Sequence, residues 1–127
     1  MEFKLLNDLE FISAEIGADP MLIQGPGGNS SLKVGEEMFI KASGKWLEDA
    51  KNNNIFVNVD WKTINQNIIQ KKKDPIEGTI ISSSTLRPSI ETTLHALMPH
   101  RVVLHTHPIE LLSLLVLEKA KIILNNL

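Results

Sequence analysis

His105-Thr106-His107 is the pattern in this chain with the clearest capacity for chemistry. In an extended strand, residues i and i+2 leave the backbone on the same side. Their separation along the strand is about 6.5–7 Å, short enough for two imidazoles to converge on one cation. Neutral imidazole suits Zn²⁺, and a chain without cysteine must hold any such metal through histidine and carboxylate. The plainer alternative is a pair of unrelated histidines, one buried and hydrogen-bonded, the other at a strand end.

Glu91 lies at the start of the segment just before these histidines. A helix N-terminus or a neighbouring cation favours the ionised carboxylate. Beside a bound metal such a group could bind the ion at rest and move protons once substrate displaces it. It is equally readable as an ordinary first-turn glutamate. His95 follows one turn later on the same helical face, a third ligand or, more simply, a structural histidine with its hydrogen bonds satisfied. Gly27-Gly28-Asn29-Ser30-Ser31 and Ala42-Ser43-Gly44 are small-residue loops. Glycines let backbone N–H groups approach an anion closely, so the loops read either as a phosphate cradle or as two tight turns. Neither loop has the spacing of a P-loop or a dinucleotide fingerprint, so nucleotide binding is not supported. Trp46 and Trp61 read as core or interface residues rather than stacking platforms.

The elements that must position these residues follow from pattern. Leu5, Leu9, Ile12 and Ile16 predict an N-terminal helix with Gly17 as its C-cap. Ser30–Val34 and Met38–Lys41 predict a hairpin around Gly35-Glu36. Ile55, Val57 and Val59 predict a strand, and Asp60 caps a following helix carrying Ile64, Ile68 and Ile69, which Asp74-Pro75 stops. Ile80-Ile81 starts a further extended piece. Ile90, Leu94, Leu97 and Met98 mark a helix closed by Pro99, with Ile90 as a core residue. Val102–His107 reads as a buried strand, and the apolar run from Ile109 as a helix. Strands separated by helices, with one hairpin, predict an α/β protein on a mainly antiparallel sheet.

The 127 residues suffice for one domain with a real core. A hydrophobic share of 43% and a charged share of 22% are those of a globular protein. The net charge of −2 offers no basic footprint for nucleic acid and no polybasic membrane anchor. No segment reads as a secretion signal or membrane span, and the absence of cysteine fits a cytoplasmic location.

Taken in order, Gly-Gly-Asn-Ser-Ser at 27–31, Ile-Lys-Ala-Ser-Gly at 40–44, Pro-Ser-x-Glu at 88–91 and His-Thr-His-Pro at 105–108 resemble the class II aldolase/adducin family. The enzymes of that family include fuculose-phosphate and rhamnulose-phosphate aldolases and ribulose-phosphate 4-epimerase. The resemblance covers residues 8–117, and its specificity lies in four motifs standing in the right order. It implies a three-layer α/β/α fold and a homo-oligomer, usually a tetramer, with active sites between subunits. It implies Zn²⁺, or another divalent metal, on His105 and His107 together with a third histidine much further along the chain. Glu91 matches the catalytic acid/base; Gly28, Asn29, Ser43, Gly44 and Ser89 match positions that contact the substrate phosphate. The implied activity is cleavage of a ketose 1-phosphate to dihydroxyacetone phosphate and an aldehyde. The alternatives are an epimerase or dehydratase of the same family, a non-catalytic adducin-like module, or a degenerate member without turnover.

Two departures bear on that expectation. The family's common Pro-Ser-Ser-Glu is here Pro88-Ser89-Ile90-Glu91, and no histidine follows His107. The segment from Leu111 to Leu124 is also apolar nearly all round, a pattern that calls for burial on several sides. Residues 1–127 are therefore expected to form one class II aldolase-like domain that is incomplete at its C-terminal end, or that closes its site at a subunit interface.

Overall fold

The expected hairpin is the centre of the molecule. In the computed structural model, which describes residues 2–126, β1 (Asn29–Val34) and β2 (Glu37–Lys41) pair antiparallel around Gly35, with Ser31 opposite Ile40. Met1 and Leu127, the ends of the expected 1–127 domain, lie outside the described residues. β3 (Phe56–Asp60) adds to β2 and β4 (Val102–His105) to β1, giving a four-stranded antiparallel sheet in the order β3-β2-β1-β4.

Helices cover both faces. Alternation along β1 sends Leu32 toward α1 (Glu2–Gly17) and a 3₁₀ turn at Leu47–Lys51, where Leu9, Ala14, Ile23, Leu47 and Ile55 complete one core. Met38, Ile40, Val57 and Val59 build the second core on the opposite face, against α2 (Trp61–Ile69) and α3 (Thr92–Leu97). This is the three-layer α/β/α arrangement. α4 (Ile109–Leu115) and α5 (Ala120–Leu124) follow β4. Among the described residues, no helix is long and apolar enough to cross a membrane.

Local signals explain the boundaries. Asp60 caps α2 as expected: Oδ1 accepts from the Thr63 amide at 2.9 Å and Oδ2 from its hydroxyl at 2.7 Å. Other expectations are corrected. α2 ends at Ile69 rather than at Asp74-Pro75, with Lys71 in the left-handed region at φ 57°, and Ile69 is exposed. Ile80 forms only an isolated bridge to Val59. Gly17 is not a left-handed cap but the last residue of α1. A Cβ there would come within 2.3 Å of the Glu48 amide nitrogen, so the glycine admits close approach of the 3₁₀ turn.

The largest reversal concerns α3. Its apolar residues face outward: Ile90 is 88% exposed, and Leu94, Leu97 and Met98 are also open. The buried side consists of Thr92, His95 and Ala96. β4 is likewise an edge strand with Val102 and Leu104 exposed, not a buried one. The helix expected from Ile109 onward is two short helices, broken between Leu115 and Ala120, and neither has a buried residue.

Candidate active site

Two loops and the start of α3 are drawn together by the sheet. The segment before α3 is strapped to the end of β2. The Ser43 amide donates to the Arg87 carbonyl at 2.9 Å, the Ser89 amide donates to the Lys41 carbonyl at 3.2 Å, and Ala42 bridges Pro88. Ser89 then turns the chain into α3: its carbonyl accepts from the Thr92 amide at 3.0 Å and its hydroxyl from the Glu91 amide at 3.2 Å. Glu91 thereby occupies the cap position of α3 without its side chain capping the helix.

On the other side, the Gly-rich loop leads into β1, where Asn29 stands opposite His105. Gly28 has φ 69°, and a Cβ there would meet Ile23 Cδ1 at 2.1 Å and the His105 carbonyl at 2.9 Å. Conformation and space both demand glycine at this point. His105 is the last residue of β4, and His107 lies beyond the strand, its amide donating to the Leu22 carbonyl at 2.7 Å. The two imidazoles nevertheless meet, with ring centroids 4.8 Å apart and planes at 76°.

A cleft of about 210 Å³ lies between these pieces. Of the residues singled out in the sequence, Gly28, Ser43, Gly44, Ser89, Glu91 and His107 line it. Asn29 and His105 are not part of that lining: His105 reaches it through Glu91, and Asn29 stands opposite His105 on β1. His105 Nδ1 lies 2.7 Å from Glu91 Oε2. Asn29 is buried, its Oδ1 accepting from the Ser30 amide at 2.9 Å, while its Nδ2 has no partner among the described residues. Ile90, expected in the core, forms part of the cleft's wall.

The charges in the site act on one another. Burial pulls the Glu91 carboxyl upward, but the hydrogen bond and charge of His105, with smaller help from His95, outweigh it and hold the group below its ordinary value. Glu91 is thus ionised near neutrality. Lys41, which the sequence offers only as positive charge near the cradle and without a catalytic role, is buried in the cleft wall. Its ammonium donates to the Pro26 carbonyl at 2.8 Å and the Lys45 carbonyl at 2.7 Å, tying the two glycine loops together. Burial pushes its pKa down and the charge of Glu91 pulls it back. The sequence signal for Lys41 is its place in the Ile-Lys-Ala-Ser-Gly motif at 40–44, immediately before the Ala42-Ser43-Gly44 turn.

The residues present fit part of a metal site. A metal-binding histidine commonly donates its second ring N–H to a carboxylate, which is the relation between His105 and Glu91. His107 supplies a second imidazole beside it. Among the described residues, however, no group of three or more His, Asp or Glu side chains converges as a complete ligand set. His95, weighed as a third ligand, is wholly buried on Ser31 instead.

Residues 14–125 match the family described as "Class II Aldolase and Adducin N-terminal domain". Among curated proteins, the chain is similar to the uncharacterized oxidoreductase YuxG of Bacillus subtilis (strain 168), with 32% identity over 134 residues, covering 93% of this chain and 19% of that protein. Among solved structures, it is similar to the N-terminal class II aldolase domain of a conserved protein from Thermoplasma acidophilum. The TM-score there is 0.71 at 26% identity, covering 87% of this chain and 58% of that one. The chain therefore spans only part of the length of each relative.

Proposed function

The chain belongs to the class II aldolase and adducin N-terminal domain family, and from that premise we propose that its cleft serves a metal-dependent aldolase-type lyase acting on a sugar phosphate. The observation that carries this reading is the placement of Glu91, ionised and bonded to His105, in the same small cleft as the Gly28 and Ser43-Gly44 loops. One end of the cleft can exchange protons and the other can receive an anion.

In this reading a ketose 1-phosphate places its phosphate against the backbone and hydroxyls of Gly28, Ser43, Gly44 and Ser89, with Asn29 supporting the loop. Lys41 keeps the two loops at a fixed separation and adds positive charge beneath them. Glu91 moves the proton at the carbon beside the carbonyl: it removes that proton in the direction of bond formation and returns it on cleavage. A divalent cation such as Zn²⁺, held by His105 and His107, would supply Lewis-acid polarisation of the substrate oxygens. The products are dihydroxyacetone phosphate and an aldehyde. Completion of the ligand set would fall to substrate, water, a further segment or a neighbouring subunit of a homo-oligomer.

The second reading is a domain that keeps the fold without turnover, and the absence of a three-ligand group among the described residues favours it. Metal analysis of the purified chain, with His105→Ala alongside and an assay on ketose 1-phosphates, separates the two. Near-stoichiometric Zn²⁺ that is lost in the variant, together with retro-aldol cleavage, is the expected result. No metal retained at saturating Zn²⁺ would overturn the lyase reading for this chain.

A further inference from the structure

α3 lays its polar side on the sheet, and what it meets there is a ladder of polar residues on one face of β1. Asn29, Ser31 and Lys33 alternate with the inward residues of the other face. Lys33 donates to the Ala96 carbonyl at 3.0 Å and to that of Met98, holding the C-terminal end of α3. Ser31 engages its middle: the hydroxyl lies 2.7 Å from His95 Nδ1. The His95 ring is 0% exposed, and its Nε2 is a buried polar atom without a hydrogen-bond partner among the described residues. Glu91 Oε2 lies 3.6 Å from it, the same oxygen that meets His105 Nδ1 at 2.7 Å.

The tautomer follows from these contacts. Were Nδ1 to carry the proton, the Ser31 hydroxyl hydrogen would have no acceptor, and the Nε2 lone pair would face a carboxylate. With the Ser31 hydroxyl donating to Nδ1, both penalties vanish and Nε2 becomes a donor with Glu91 Oε2 3.6 Å away. We infer that His95 is a positioning residue for Glu91, locked by Ser31 as the Nε2–H tautomer so that its N–H becomes a second donor to the carboxylate when the site closes on substrate. Catalytic hydrogen bonds are often long in the free protein and tighten in the complex. The catalytic part of this inference rests on the reading of Glu91 as the proton-transfer group; the tautomer does not.

Long-range ¹H–¹⁵N spectra of the ¹⁵N-labelled chain, at one neutral pH and without metal or substrate, test the tautomer directly. His95 is expected to show a protonated Nε2 and an unprotonated Nδ1, Ser31→Ala to mix the two forms, and Glu91→Gln to shift the Nε2 proton. An Nδ1–H tautomer in the wild-type chain, or an Nε2 resonance that ignores Glu91→Gln, would overturn the inference. On an active preparation, His95→Phe is expected to lower kcat by roughly 10–100-fold with little change in KM, and His95→Gln, whose amide can still donate, to recover most of it. Equal loss in folded His95→Phe and His95→Gln would refute the positioning role. An inactive wild-type chain would overturn the lyase reading instead, and the spectra would still decide the tautomer of His95.

Discussion

Glu91 Oε2 and His105 Nδ1 stand 2.7 Å apart and join two elements that the sheet alone would leave independent, the start of α3 and the end of the edge strand β4. The contact fixes the imidazole through one nitrogen, leaving the other for a ligand, and it holds the carboxylate ionised despite partial burial.

Replacing either partner separates these roles. Glu91→Gln keeps a hydrogen-bonding group of the same size but cannot exchange a proton, so kcat on a ketose 1-phosphate should fall by about 10²–10⁴-fold with bound metal unchanged. His105→Ala should lose the metal as well. Elemental analysis beside steady-state kinetics reads both.

Asp60 supplies a pH-dependent share of stability. The hydrogen bonds from the Thr63 amide and hydroxyl hold its carboxyl below the ordinary value, outweighing a small upward pull from burial. The folded pKa thus lies below the unfolded one of about 3.9, so this stability is present above that pH and is lost as pH falls through the folded value. Asp60→Ala should cost about 1 kcal/mol at pH 7 in urea unfolding, with the gap from wild type narrowing as the medium becomes acid.

The two left-handed glycines of the cleft should differ in tolerance. Gly28→Ala meets Ile23 and the His105 carbonyl as well as an unfavourable φ, whereas a Cβ on Gly44 (φ 74°) has nothing within 4 Å. Gly44→Ala should cost about 1–2 kcal/mol from conformation alone, and Gly28→Ala clearly more. Denaturant midpoints with unchanged slopes give the comparison.

The outward apolar side of α3 should be replaceable. Ile90→Ser is expected to change unfolding free energy by no more than about 0.5 kcal/mol, because the side chain is open to solvent. Ile64→Ala, in the core between α2 and the sheet, should cost about 2–5 kcal/mol. Similar values for the two would show that α3 buries its apolar side after all.

Much of this molecule is legible in its sequence. The Gly35 turn, the alternation of β2 and β3, and the Asp60 cap are short-range features whose geometry a few neighbouring residues impose. The ordered motifs also mark the lining of the cleft, where Gly28, Ser43, Gly44, Ser89, Glu91 and His107 meet. The orientation of α3, the edge position of β4 and the partners of Lys41 and His95 were decided by tertiary structure. A period of apolar residues marks one side of a helix but does not say whether that side is turned inward. For α3 the answer came from Ser31 and Lys33, polar residues of a central strand that were buried and needed partners. Ser31 and His95 are 64 positions apart, so their bond exists only once the sheet has brought β1 beneath α3. Unpaired buried polar groups are costly, and satisfying them outweighed the burial of Ile90, Leu94 and Leu97.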